Sequence, residues 1–122
     1  MLHLSPSVRY FYYNGFADMR KGAYSLSGLV RNEMKLDVLS GDVFIFIGRR
    51  GNKIKLLQWD NDGFALYEKG LELGSFERPV AATHNGHPTA IGSYLTYQQL
   101  QYILQGIVLK SIRYKKRYRH TG

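Results

Sequence analysis

Residues 43–69 read VFIFI-GRRGN-KIKLLQW-DNDG-FALYEK and predict three consecutive antiparallel strands. Val43–Ile47 consists only of β-branched and aromatic residues, which favour a strand with at least one buried face. Gly48–Asn52 has the composition of a hairpin loop, and Lys53–Trp59 is the expected return strand. A second turn ending in Asp-Gly leads into the third strand, Phe64–Lys69. This stretch therefore predicts a β-meander.

The sequence before the meander predicts one more strand and a helix. Val8–Tyr13 is rich in aromatic residues and is followed by an Asn-Gly turn, which indicates a strand. Apolar residues at helical spacing predict a helix over 23–34, with either Ser25 or Asp18 as its cap. Beyond the meander, Leu71–Phe76 offers a short additional strand.

The last third of the chain predicts a loop and a second helix. Residues 79–93 are small, polar and punctuated by Pro and Gly, as is typical of a loop. Thr96 and Gln99 have the spacing of a capping box, with Leu95 and Leu100 placed as a hydrophobic staple. Gly106 is the expected end of this helix.

Charge divides the chain into a nearly neutral body and a basic end. The 122 residues include 17 Lys and Arg against 9 Asp and Glu, for a net charge of +8. Six of these cations, and no acid, fall within residues 110–122: Lys110, Arg113, Lys115, Lys116, Arg117 and Arg119. We therefore expect a single α+β domain over 1–109, with a mostly antiparallel sheet of four to five strands and two helices. A basic C-terminal tail over 110–122 follows it.

The composition also excludes several classes of protein and site. The chain has no cysteine, so disulfides, thiolate metal sites and a cysteine nucleophile are ruled out. The first 13 residues do not have the pattern of a signal peptide. The longest apolar run, Val43–Ile47, is far short of the roughly 20 residues that span a bilayer. We expect a cytoplasmic protein, with nucleoid association left open, and no membrane partner, cofactor or small-molecule substrate.

The acidic residues of the second turn have a spacing that occurs in metal sites. Asp60 and Asp62 resemble the opening of a calcium-binding EF-hand loop, but its twelfth position falls on Leu71, which cannot supply the required carboxylate. A two-metal nuclease would need a further carboxylate, such as Asp18 or Glu68. The turn propensity of Asx residues explains Asp60 and Asp62 more simply.

The histidines and large aromatic side chains also favour structural interpretations. His84 and His87 are three residues apart in a loop, and nothing nearby completes the three or four ligands of a metal site. Trp59, Phe64 and Tyr67 flank the second turn and are interpreted as sheet packing. The sequence thus predicts neither a metal site nor a catalytic residue.

The basic tail is the first candidate for contact with nucleic acid. Its cations can neutralise phosphates and release counterions. They are interleaved with Tyr114 and Tyr118, whose rings can stack on exposed bases. The alternative interpretation is a solvated basic segment that only improves solubility.

The predicted hairpin is the second candidate. Arg49 and Arg50 lie at its tip, and Lys53 and Lys55 on its return strand, where they could contact phosphates or bases. The alternative is that these cations protect an exposed edge from aggregation.

Arg20 and Lys21 form a third, secondary basic pair. They precede the first predicted helix, where cations oppose the helix dipole. A nearby anion is therefore expected, or a carboxylate partner such as Asp18 or Glu33.

Many short blocks, in order and at matching spacing, carry a family resemblance. They resemble the TnpB-type accessory protein of the IS66 class of bacterial insertion sequences, closely over residues 5–78 and more loosely over 100–116. The blocks are Asp18–Gly22, Gly28–Val30, Leu39–Phe46, Arg49–Arg50, Ile54–Trp59, Gly63–Lys69, Leu71–Glu72 and Gly74–Phe76.

The resemblance implies a role in transposition beside a separate DDE transposase encoded by the same element. In that family the phosphoryl chemistry belongs to the transposase, so no catalytic residue is carried over and we do not expect an enzyme. The expected function is an accessory protein that contacts DNA, first through the tail and second through the hairpin. The competing expectation is an interaction module that docks on the transposase without binding DNA.

Overall fold

The computed structural model describes residues 1–80 and 90–106 in full, together with the backbone of four two-residue strands outside these ranges. The described residues contain nine strands, two helices and a π-helical turn. In order they are β1 (Tyr10–Tyr13), α1 (Ala23–Leu29), the π-helical turn Val30–Met34, β2 (Val43–Ile47), β3 (Lys53–Asp60), β4 (Gly63–Gly70), β5 (Thr83–His84), β6 (His87–Pro88), β7 (Gly92–Leu95), α2 (Tyr97–Gln105), β8 (Ile107–Val108) and β9 (Arg113–Tyr114).

The main sheet has five strands in the order β4-β3-β2-β1-β7. Strands β2, β3 and β4 pair antiparallel in sequence order, which confirms the predicted meander. Strand β1 pairs parallel with β2 and antiparallel with β7. Strands β5 with β6, and β8 with β9, form two small antiparallel pairs. The structure is thus the predicted α+β arrangement, with a mostly antiparallel sheet.

Strand β2 lies at the centre of the sheet and is buried along its whole length. Val43, Ile45 and Ile47 belong to an apolar cluster that includes Leu100 and Ile103 of α2. Their neighbours on β2 belong to the opposite cluster, which contains buried residues of α1 and the π-helical turn. Since both faces of the strand are covered, no polar alternation is present in its sequence.

Two strand predictions need correction. Residues 71–76 form no strand; Leu71 N donates to Asn52 O (2.8 Å) and Phe76 N donates to Gly51 O (2.7 Å), so this segment runs back beside the β2–β3 loop. Strand β1 begins at Tyr10 rather than at position 8, because Val8 N donates to Ser5 O in a preceding turn (3.2 Å).

The segment predicted as a loop over 79–93 also needs correction at its end. Residues 92 and 93 open strand β7, which pairs with β1 from Tyr10↔Leu95 to Tyr13↔Gly92. This pairing supplies backbone partners for the side of β1 that β2 does not cover. Positions 81, 82, 85, 86 and 89 of the predicted loop lie outside the described residues.

Both helices of the described ranges are short, at seven residues for α1 and nine for α2. Helix α1 and its π-helical continuation cover the predicted range 23–34. Neither predicted cap is used: Gly22 occupies the cap position without a side-chain bond, and the Asp18 carboxylate is engaged by Arg20. Within the described part of the chain, no helix is long and apolar enough to cross a membrane.

Helix α2 begins with the predicted capping box. Gln99 N donates to Thr96 Oγ1 (3.1 Å) and Thr96 N donates to Gln99 Oε1 (2.8 Å). The helix ends at Gln105 and is capped, as predicted, by Gly106, whose φ of 82° is left-handed. Leu95 and Leu100 are buried in the same apolar cluster, as the staple requires.

Replacement of Thr96 by alanine is expected to lower the free energy of unfolding by about 1 kcal/mol, because the N–H of Gln99 loses its acceptor. Urea denaturation followed by circular dichroism measures this loss. The Thr96→Ser variant keeps the hydroxyl and should retain most of the stability. An alanine variant as stable as the serine variant would contradict the capping role.

Candidate nucleic-acid interface

Two loops meet at one end of the main sheet. The loop 16–21 follows β1, and the loop 48–52 joins β2 to β3. Ala17 N donates to Ile47 O at 3.3 Å, which ties the first loop to the end of β2. A Cβ atom on Gly48 would lie 2.6 Å from Met19 Cγ, so any larger residue at this position would force the Met19 side chain to move.

A solvent-open groove of about 720 Å³ lies between these loops, and we call it the basic groove. Four of the cations predicted from sequence are among its lining residues, so the structure brings Arg20 together with the hairpin cations. The groove is lined by Ala17, Asp18, Met19, Arg20, Gly48, Arg49, Arg50, Asn52 and Lys53.

Arg20 is paired with Asp18 at the mouth of the groove. Its Nε and Nη2 donate to the two carboxylate oxygens at 3.0 and 2.9 Å, and its backbone N donates as well. These bonds to Arg20 lower the pKa of Asp18 to about 2, and the charge of Lys21 contributes. Of the two predicted carboxylate partners, Asp18 is therefore used. Glu33 instead accepts a hydrogen bond from the Tyr13 hydroxyl (2.9 Å).

Lys55 does not lie on the surface as predicted. It is 5% exposed, and its Nζ donates to Lys21 O at 2.8 Å. It pairs with the buried Phe46 across β2 and β3, on the face of the sheet that α1 covers. A cation in this place cannot reach a phosphate, so Lys55 supports the loop 16–21 from beneath instead.

Arg78 is a positioning residue that sequence reasoning missed. Its Nη2 donates to Arg49 O (3.1 Å) and also to Gly48 O. Together with the bond from Phe76 N to Gly51 O, it holds the β2–β3 loop from the side of residues 71–78. No local pattern marks Arg78, because its role depends on the return of that segment to the hairpin.

Phe16 is a second residue that the sequence did not single out. It is 52% exposed although its side chain is large and apolar. The guanidinium carbons of Arg49 and Arg78 each lie 4.7 Å from the centre of its ring. This arrangement places an aromatic surface among cations beside the groove.

The tail cations lie beyond the side chains that the structure describes. The backbone of Arg113 lies in β9, where it pairs with Val108 across the predicted boundary at residue 109. Lys110, Lys115, Lys116, Arg117 and Arg119 lie outside the described residues.

The carboxylates considered for a metal site are kept apart. Asp60 forms an ion pair with the amino group of Met1, and His3 Nε2 lies 3.6 Å from it. Asp18 lines the groove near the start of β3, whereas Asp60 ends that strand, about 20 Å away at 3.3 Å per residue. Within residues 1–80 and 90–106, no three His, Asp or Glu residues are grouped to hold a metal.

The aromatic residues and histidines singled out from the sequence lie on strands. Trp59 and Phe64 pack edge to face, with ring centres 5.1 Å apart, as predicted. Tyr67 is 39% exposed on the edge strand β4. His84 and His87 are paired positions of β5 and β6, and their side chains lie outside the description.

Comparison with known proteins identifies the family. The model of the family described as IS66 Orf2 like protein matches residues 8–114. Uncharacterized protein y4hO of Sinorhizobium fredii (strain NBRC 101917 / NGR234) is 37% identical over 107 residues, covering 88% of this chain and 87% of that protein. Uncharacterized protein y4jC of the same strain is 36% identical over 62 residues, covering 51% and 53%. No solved structure matches significantly. This chain therefore belongs to the IS66 Orf2-like (TnpB) family of insertion-sequence accessory proteins.

Proposed function

We propose that this chain assists transposition by contacting DNA non-catalytically, beside a separate DDE transposase of the same element. The observation that carries the proposal is the basic groove, where two loops bring four cations to one end of the sheet. Such cations neutralise phosphates and release condensed counterions. The loop bearing Arg49 and Arg50 is held by Arg78 before any ligand arrives, which reduces the entropy cost of binding.

The tail adds a second, larger source of positive charge. Residues 110–122 contribute six of the eight net charges of the chain. A charged segment binds phosphates without needing a fixed structure. We propose that the tail supplies most of the affinity for DNA, whereas the groove holds the DNA against the folded domain.

The proposal is tested by fluorescence anisotropy with a labelled duplex from the element end and a scrambled duplex. About five phosphate contacts predict that log K falls with log salt at a slope near −4.5. The Arg49→Gln/Arg50→Gln variant should flatten this slope by about 1.8. The matched control is Arg31→Gln/Lys35→Gln, which removes two exposed cations from the α1 side and should leave the slope unchanged. If no duplex binds at low salt, contact with duplex DNA is excluded.

The edge strand β4 supports a second candidate function, docking on the transposase without DNA binding. This strand has eight residues and, among the residues that the structure describes, pairs with β3 alone; Leu66 and Tyr67 are 36% and 39% exposed. A free edge can accept a strand from another protein. Docking of this kind predicts binding to purified transposase with little salt dependence, whereas phosphate contact predicts a steep one.

Removal of the Asp18 carboxylate is expected to strengthen DNA binding. The Asp18→Asn variant frees the Arg20 guanidinium and removes a negative charge from the groove, so we expect affinity to rise about twofold to fivefold at low salt. Because the pKa of Asp18 is lowered to about 2, the wild-type pair should persist at all ordinary pH values.

The control for this variant is Asp37→Asn, which makes the same change of charge on an exposed residue that does not line the groove. Anisotropy titrations of both variants should show the gain for Asp18 alone. An equal gain for both would show that net charge, rather than release of Arg20, is responsible.

A further inference from the structure

We infer that the basic groove takes unpaired DNA in preference to duplex, with the ring of Phe16 as a stacking surface for a base outside the helix. The inference rests on the proposed function and specifies the form of DNA that the same site would bind. Its starting observation is that Phe16, which precedes Ala17 of the groove lining and contacts Arg49 of that lining, is 52% exposed.

The position of Phe16 is fixed although its ring is not buried. Phe16 belongs to neither of the two apolar clusters that contain the buried core. The next residue, Ala17, is buried and bonded to Ile47 O. The backbone therefore holds a half-exposed apolar ring at this position, and a planar partner that covers its exposed part would recover the free energy of that exposure.

The cations around the ring can bind the phosphate group of a nucleotide whose base stacks on the ring. The guanidinium groups of Arg49 and Arg78 are held near the ring, which attracts cations to its face. Even with both in place, Phe16 keeps its 52% exposure, so ring surface is left for a further partner. Arg78 is tethered to the loop carbonyls, whereas Arg49 is exposed and can turn toward a phosphate.

A base outside the helix can stack on such a ring directly, whereas insertion of the ring into a duplex first requires a base step to unstack. Within a duplex each base face is covered by its neighbours, and the grooves present edges that are read by hydrogen bonds. The phenylalanine ring has no hydrogen-bonding group, so it cannot take part in that hydrogen-bonded readout of base edges. A single strand or a bulge exposes base faces, and stacking on an aromatic side chain is worth about 1–3 kcal/mol per base.

The groove has room for the rest of the nucleotide. Its volume of about 720 Å³ lies in the range of roughly 300–1,000 Å³ typical of sites for small organic ligands. Arg50 and Lys53 line it and can hold the flanking phosphates. The combination of ring, cations and groove is that of a single-strand site.

The test uses the full chain and three labelled probes of matched sequence: a single strand, a duplex, and the duplex with one bulged base. Anisotropy titrations at one salt concentration compare wild type with Phe16→Leu, which stays apolar but loses the flat ring. We expect wild type to prefer the single strand and the bulge over the duplex. Phe16→Leu should lower the affinity for the single strand and for the bulged duplex about fivefold or more, and change the affinity for the plain duplex less than twofold.

Two further variants sharpen the result. Tyr94→Leu removes another exposed aromatic ring, 60% exposed on β7, and should leave all three affinities unchanged. Phe16→Trp should keep the preference for the single strand and the bulge over the duplex. On addition of the single strand, its tryptophan fluorescence should fall more than that of wild type, in which Trp59 is the only tryptophan. Thermal unfolding confirms that each variant is folded.

The outcomes separate this inference from the proposed function. Equal affinity for the three probes, or an equal loss on all three in Phe16→Leu, would overturn the inference and leave DNA contact standing. Absence of binding to every probe would overturn both. A loss confined to the single strand and the bulge is the result that supports the stacking site.

Discussion

Replacement of Phe44 by alanine is expected to lower the free energy of unfolding by about 3–5 kcal/mol. Phe44 is fully buried on β2, the central strand of the sheet. Its ring packs against that of Phe11, with centres 6.0 Å apart, and the cluster around it joins the sheet to α1. The substitution leaves a cavity between two layers that cannot collapse freely. Since domains of this size are stable by about 5–15 kcal/mol, the loss is a large fraction of the total.

The same substitution at Phe16 is the matched control. Phe16 is 52% exposed, so Phe16→Ala should change stability by less than about 1 kcal/mol. Urea unfolding, followed by circular dichroism at equal protein concentration, gives both values. If the two variants lost equal stability, the packing of α1 on β2 would not be as described. A large loss for Phe44→Ala alone would also show that Phe16 is free for a role other than folding.

The elements predicted correctly from sequence are those fixed by local chemistry. The run Val43–Ile47 is apolar throughout, and the turns that follow it carry glycine and Asx residues where the chain reverses. Thr96 and Gln99 satisfy each other across one helical turn, so their spacing alone identifies the start of α2. Signals of this kind need no knowledge of the tertiary structure.

The elements that were missed depend on contacts distant in sequence. Strand β7 reads Gly-Ser-Tyr-Leu, which carries little strand propensity, and it forms because β1, about 80 residues earlier, has a free side. The opposite error concerns residues 71–76, which were predicted to add a strand and form none. There Gly74 has a φ of 88°, and the backbone bonds go to the β2–β3 loop.

In the candidate site, too, the residues predicted correctly follow from local sequence, and those missed depend on contacts distant in sequence. The charges of Arg49, Arg50 and Lys53 could be assigned to a surface because loop and strand-end cations are normally solvated. Lys55 was wrongly placed because alternation on a strand fails where both faces are covered. The contacts of Phe16 with Arg49 and Arg78 exist because the loops 16–21 and 48–52 and the segment 71–78 lie side by side in the fold. No spacing in the sequence predicts that arrangement.

Neutralisation of the tail is expected to have the largest effect on DNA binding. In the full chain, all six cations of residues 110–122 would be replaced by glutamine, which lowers the net charge from +8 to +2. Substitution is preferable to truncation after residue 109, because β8 and β9 pair across that point. A slope of −0.9 per contact corresponds to about eightfold in affinity per phosphate at ~0.1 M salt. If at least two tail cations contact phosphates, the affinity for any duplex should fall about 60-fold or more.

Salt dependence shows whether this loss comes from phosphate contact. The slope of log K against log salt should flatten by about 0.9 for each tail contact that is lost, and the flattening should be the same for element-end and scrambled duplexes. Arg49→Gln/Arg50→Gln should flatten the slope only by the contribution of the phosphate contacts in the groove. If the tail-neutral protein kept both the affinity and the slope of wild type, the tail would be a solvated segment and the groove the sole DNA contact. If it lost the slope but still preferred unpaired DNA, the tail would supply affinity while the groove selects the form of DNA.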